Sequence, residues 1–92
     1  MTLQELQTLM LQTYGERDSA RGTTATIAWL TEELGELAQA VRKGTREEQL
    51  LELSDVLAWI ASLANQLGLS MEEAVQRYEE GCPKCHGTPC EC

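Results

Sequence analysis

The chain has 92 residues, a formal net charge of −8 and a pI near 4.5. That length suits one small domain and excludes two independent cores. The acidic balance argues against a nucleic-acid polymer or an anionic membrane as the main partner.

The opening Met1-Thr2-Leu3-Gln4-Glu5 lacks the basic and apolar regions of a signal peptide, and no stretch reads as a bilayer span. The expectation is a soluble cytoplasmic protein. Thr2-x-x-Glu5 resembles a capping box that opens a first helix, with Leu3, Leu6, Leu9 and Met10 on one face. The pattern fades at Tyr14-Gly15, and Glu16 to Gly22 reads as a polar link.

A second helix is predicted from about Thr24 to Lys43, with Ile27, Leu30, Leu34, Leu37 and Val41 as its apolar stripe. Gly44 stops it, behind the basic pair Arg42-Lys43, which suits the negative end of a helix dipole. Thr45-x-x-Glu48 opens a third helix that runs to Leu67 and closes at Gly68. Leu50, Leu53, Leu57, Ile60, Ala64 and Leu67 form one stripe, and Leu51, Val56, Trp59 and Leu63 carry the apolar surface well round the cylinder. Such a helix must be buried on more than one side, and so short a chain lacks the partners to do it alone. The expectation is a homodimer or a dimer of dimers, with Ala28, Gly35, Ala38, Ala40, Ala58 and Ala61 permitting close approach.

Ser70-x-x-Glu73 opens a short last helix through about Glu79. Val, Ile and Thr are too scattered for strands. The fold class is all-α, of four-helix bundle type, with residues 1–80 as a helical domain and 81–92 as a cysteine-rich tail.

Within helices two and three lie Glu32-Glu33-x-x-Glu36 and Glu52-x-x-Asp55. Residues three or four apart share a helix face, so Glu33/Glu36, Glu32/Glu36 and Glu52/Asp55 are facing pairs. No Lys or Arg lies between Arg46 and Arg77 to balance the second cluster. Converging carboxylates repel one another unless a cation sits among them, and hard oxygen ligands suit Mg²⁺ or Mn²⁺. Glu33, Glu36, Glu52 and Asp55, two matching pairs, are the candidate metal ligands. Glu32 is the candidate for water activation, and its pairing with Glu36 leaves the roles of Glu32 and Glu33 open to exchange.

Glu32-Glu33-Leu34-Gly35-Glu36-Leu37, then Glu52-Leu53-Ser54-Asp55-Val56-Leu57, then Asn65-Gln66-Leu67-Gly68-Leu69-Ser70 resemble the MazG-like members of the all-α nucleoside triphosphate pyrophosphohydrolases. The resemblance spans roughly Leu30 to Tyr78. It implies a helical bundle completed by oligomerisation. It also implies Mg²⁺-dependent cleavage of a nucleoside triphosphate between its α and β phosphates, in the service of the nucleotide pool. After the fourth helix a cysteine tail takes the place of what longer relatives carry there, which leaves the phosphate contacts open.

Trp29 and Trp59 stand one turn from Glu33 and Asp55, as stacking partners for a base or as core. Asn65 is a candidate base or sugar contact, or a cap. Arg77 is the candidate phosphate contact, among Arg42, Lys43, Arg46 and Lys84.

All four cysteines fall in the last eleven residues, as Cys82-x₂-Cys85-x₄-Cys90-x-Cys92. The first pair has zinc-knuckle spacing, and four thiolates would make a closed structural zinc site, with His86 or a ligand from another subunit able to replace one. The alternative is a flexible tail of reduced cysteines, or a redox or metal-scavenging tail. A second functional reading keeps the acidic face as a catalytically silent module that binds a nucleotide or a protein. A third treats the acids as the solvated surface of a structural oligomer.

Overall fold

The computed structural model describes residues 1–92 as four α-helices and one 3-10 turn, with no strand. Helix α1 spans Leu3–Arg21. Its capping box is reciprocal: the Glu5 N–H donates to Thr2 Oγ1 at 3.0 Å and the Thr2 N–H to Glu5 Oε1 at 2.9 Å. The helix does not fade at Tyr14-Gly15 as its sequence predicts. A mid-helix glycine costs about 1 kcal/mol relative to Ala, and tertiary contacts offset this. Asp18 is buried, its carboxylate pairs with Arg21 at 2.7 Å, and its carbonyl accepts from Gln66 Nε2 at 2.6 Å. The segment reads as a link because its inward face is polar.

The link shrinks to Gly22, whose φ of 84° and ψ of 162° lie in a region essentially reserved for glycine. Helix α2, Thr23–Lys43, follows at once, anchored by Thr26, which is fully buried and donates its hydroxyl to the Gly22 carbonyl at 3.0 Å. Helix α3, Arg46–Leu67, is capped by Thr45 Oγ1, which accepts from the Glu48 N–H at 3.2 Å, and ends at Gly68 in the left-handed conformation. Ser70 Oγ accepts from the Glu73 N–H to open α4, Met71–Val75. Gln76–Tyr78 then tightens to a 3-10 turn instead of continuing as α-helix. Val75 and Tyr78 stay exposed, so no burial favours a longer helix there.

Helix α3 is the central element, with α2 along one side and α1 along another. Gln7 fastens the start of α1 to the far corner. Its Nε2 donates to the Leu69 carbonyl at 2.6 Å, its Oε1 accepts the Met71 N–H at 2.9 Å, and its own carbonyl accepts from Asn65 Nδ2 at 3.0 Å.

The α2–α3 seam is rotated from the predicted stripes. Thr26, Leu30, Glu33, Leu37 and Ala40 face inward from α2, while Ile27, Leu34 and Val41 are exposed. On α3, Glu52, Asp55, Val56 and Trp59 turn in, and Leu50, Leu53, Leu57, Ile60 and Leu67 turn out. Buried apolar residues are only Ala40, Val56, Ala61 and Ala64, so the isolated chain has a thin core. Its accessible surface is 6740 Å², against about 5,300 Å² expected for a compact monomer of this mass. Its radius of gyration is 15.3 Å, against about 12 Å expected for this length. No helix is long and apolar enough to cross a membrane.

Candidate functional site

The carboxylates meet across the α2–α3 seam. Oxygens of Glu33 and Glu36 from α2 and of Glu52 from α3 all lie within 4.8 Å of one another. Glu33 Oε2 and Glu52 Oε2 are shut off from solvent and have no hydrogen-bond partner. Burial pushes the Glu33 carboxyl above the usual 4.5, with the charges of Glu36, Asp55 and Glu52 adding to it. Burial likewise raises Glu52, helped by Glu36 and Asp55. Asp55, the fourth expected ligand, is outside this cluster of three; it sits one turn beyond Glu52, half-buried and close enough to act electrostatically on Glu33 and Glu52. Glu32, the residue expected to activate water, is exposed and outside the cluster of three.

Two orphaned, buried carboxylate oxygens beside a third carboxylate are costly by themselves and suit a hard divalent cation. Glu36, the exposed member of the three, also leaves room for the waters that Mg²⁺ retains.

Two clefts flank the cluster. One, of about 270 Å³, is lined by Met10, Tyr14, Arg17, Asp18 and Arg21 of α1 and by Asp55, Ala58, Trp59 and Ser62 of α3. The other, of about 440 Å³, is lined by Glu36, Gln39, Ala40, Lys43, Gly44, Glu48 and Glu52. The carboxylate row thus opens toward Arg17 and Arg21 on one side and Lys43 on the other.

The two tryptophans stack on each other, with ring centroids 6.0 Å apart and planes 10° from parallel. The Arg21 guanidinium lies 4.7 Å from the Trp59 centroid. Asn65 is engaged with the Gln7 carbonyl. Arg77 lies over Tyr78 at 5.3 Å and lines neither cleft.

Reading the sequence missed the α1 wall of the first cleft because it ended that helix early. The signal was present: Met10, Tyr14, Arg17 and Arg21 follow helical spacing, and Asp18/Arg21 is an opposite-charge pair three residues apart.

In the tail, the four cysteine sulfurs also converge within 4.8 Å. N–H groups of Glu91 and Gly87 hold the Cys85 thiol down at about 6, while the neighbouring Cys85 and Cys82 sulfurs push Cys92 up to about 11. His86 turns away, its Nδ1 3.5 Å from Glu80 Oε2.

In a 63-residue alignment covering 58% of this chain, the sequence is 43% identical to the uncharacterized protein YpjD of Bacillus subtilis (strain 168). The alignment takes in 57% of that protein, so the chain spans little more than half the length of this relative. Residues 21–86 match the MazG nucleotide pyrophosphohydrolase domain, and they include every carboxylate of the seam and, in the tail, Cys82, Cys85 and His86. With that match over most of its length, the chain belongs to the MazG nucleotide pyrophosphohydrolase domain family.

Proposed function

We infer that the protein is a divalent-metal-dependent pyrophosphohydrolase that converts a nucleoside or deoxynucleoside triphosphate to its monophosphate and pyrophosphate, clearing surplus or non-standard nucleotides. The observation that carries this reading is the pair of buried, unpartnered oxygens, Glu33 Oε2 and Glu52 Oε2, in a seam that apolar side chains would otherwise fill. Glu33, Glu36, Glu52 and Asp55 are the residues to hold Mg²⁺ or Mn²⁺. When bound, the ion supplies electrostatic stabilisation for the negative charge that develops on the phosphates.

The chain's own residues do the rest. Arg17 and Arg21 offer guanidinium donors to phosphate oxygens at the edge of the first cleft, and Lys43 offers an ammonium at the second. Trp59, Met10 and Tyr14 give the first cleft an apolar wall against which a base and sugar can pack, at a volume near the small end for ligand sites. The Glu32 carboxylate, exposed beside Glu36, orients the attacking water and takes its proton as the oxygen bonds to the α phosphorus and pyrophosphate leaves.

The reading includes a second copy of the chain, as a homodimer or a dimer of dimers. Leu34, Val41, Leu50 and Leu51 each expose more than half of their surface, and the surface excess over a compact monomer points the same way.

Incubating the purified chain with a panel of NTPs and dNTPs and Mg²⁺ tests the activity. Monophosphate and pyrophosphate should appear in equal amounts, and Glu36→Gln and Asp55→Asn should each lower kcat/KM by about 100-fold or more. Mg²⁺-dependent nucleotide binding without turnover would instead favour a silent binding module.

A further inference from the structure

The geometry points to a closed structural zinc centre in the tail, in which Cys82, Cys85, Cys90 and Cys92 of a single chain supply all four ligands and His86 none. Zinc bound by four thiolates at about 2.3 Å requires tetrahedral sulfur–sulfur edges of about 3.8 Å. The Cys82–Cys92 and Cys85–Cys90 sulfurs stand 3.7 Å and 3.9 Å apart.

The backbone is shaped to hold them there. The Glu91 N–H donates to Cys85 Sγ at 3.4 Å and the Cys92 N–H to Cys90 Sγ at 3.5 Å, the kind of donor that steadies a ligating thiolate. The Cys82 N–H reaches the Gly87 carbonyl at 3.1 Å and the His86 N–H reaches the Cys82 carbonyl at 2.7 Å, closing the knuckle. Gly81 enters with φ of 99°, and a Cβ there would lie 2.7 Å from the Gly87 oxygen, so the approach needs glycine.

Little apart from its own turns holds this segment. It has no apolar core, its sulfurs are mostly exposed, and its backbone bonds run within itself or back to Tyr78. Four thiolates leave no open coordination position, so the centre folds the tail and does no chemistry. A tetrahedral S₄ set also suits iron, but a divalent site of this kind favours Zn²⁺ over Fe²⁺. This inference is independent of the hydrolase reading, since its ligands share no residue with the carboxylate seam.

The test uses the full chain, purified under reducing conditions without chelator from cells supplied with both zinc and iron. Elemental analysis should return one zinc per chain, and Co²⁺ exchange should give a tetrahedral thiolate spectrum. In competition with a chromophoric chelator, His86→Ala should hold zinc within about threefold of the parent, while Cys85→Ser and Cys90→Ser should each lose about 100-fold or more. Chelation should speed tryptic cleavage after Lys84 by about tenfold or more while far-UV circular dichroism of the helices stays unchanged. Zinc lost on His86→Ala, zinc retained in Cys85→Ser, iron in its place, or disulfides with no metal would each overturn the proposal.

Discussion

Glu33 on α2 and Glu52 on α3 face each other across one seam, each with a carboxylate oxygen closed off from solvent and without a hydrogen-bond partner. Both carboxyls titrate above the ordinary 4.5, first through burial and then through their acidic neighbours. Between that value and their raised native values, the folded chain holds more protons than the unfolded one. Metal-free stability is therefore fully present below the ordinary value and falls as pH rises through the native ones. Thermal melts of chelated protein should show a higher Tm at about pH 5 than at about pH 7.5, and Glu33→Gln or Glu52→Gln should flatten that slope.

Adding Mg²⁺ should reverse the sign. The ion favours the charged carboxylates, so the parent should gain Tm at neutral pH in proportion to log Mg²⁺ once the site saturates. The two Gln variants should be at least as stable as the parent without Mg²⁺ and should lose most of the gain with it. A parent protein whose Tm ignores Mg²⁺ and Mn²⁺ would remove the metal site.

Arg21 joins Asp18 to Trp59, so truncating it has two consequences. Arg21→Ala leaves a buried carboxylate unpaired and should cost roughly 1–3 kcal/mol by urea denaturation. Asp18→Asn in the same chain should recover part of that loss. If Arg21 also meets phosphate, kcat/KM stays low in the double variant after stability has returned.

The Gln7 amide satisfies two backbone groups at the α3–α4 corner. Gln7→Ala should destabilise the chain by about 2 kcal/mol, with Asn65→Ala nearer 1 kcal/mol because it forfeits one bond to the Gln7 carbonyl. Asn65 was expected either to read the substrate or to serve the fold. A change in KM larger than the loss in stability explains would assign it to substrate.

Leu34 and Leu57 are exposed in the single chain, where a charge would be harmless. If a second copy covers them, Leu34→Glu and Leu57→Glu should halve the sedimenting mass at micromolar concentration and lower Tm. An unchanged mass in both variants, or a parent that sediments as a folded monomer, would rule out that assembly.

The sequence made the helices and the paired carboxylates legible because caps, glycines and i, i+3 spacing are local. Thr45, Gly44, Gly68 and Ser70 mark their boundaries within a residue. What it hid depends on contacts made at long range. The last turns of α1 look like a linker until Asp18 and Gln66 are seen to meet, and with them went Arg17 and Arg21 of the first cleft. The apolar stripes were real, but hydrophobic spacing alone could not say which flank of each helix faces its own chain. The structure gives the inner flank to Glu33 and Glu52 and leaves Leu34 and Leu50 outside.

Helix α1 is held at both extremities, by Gln7 at one end and by the one-residue corner at Gly22 at the other. At about 1.5 Å per residue it is a beam of roughly 28 Å, clamped twice, and it forms a whole side of the first cleft. A side so fastened cannot swing like a lid. If that cleft takes the nucleotide, entry is along its open edge and selection is by a fixed outline, so discrimination should show up as differences in affinity rather than in slow, gated arrival.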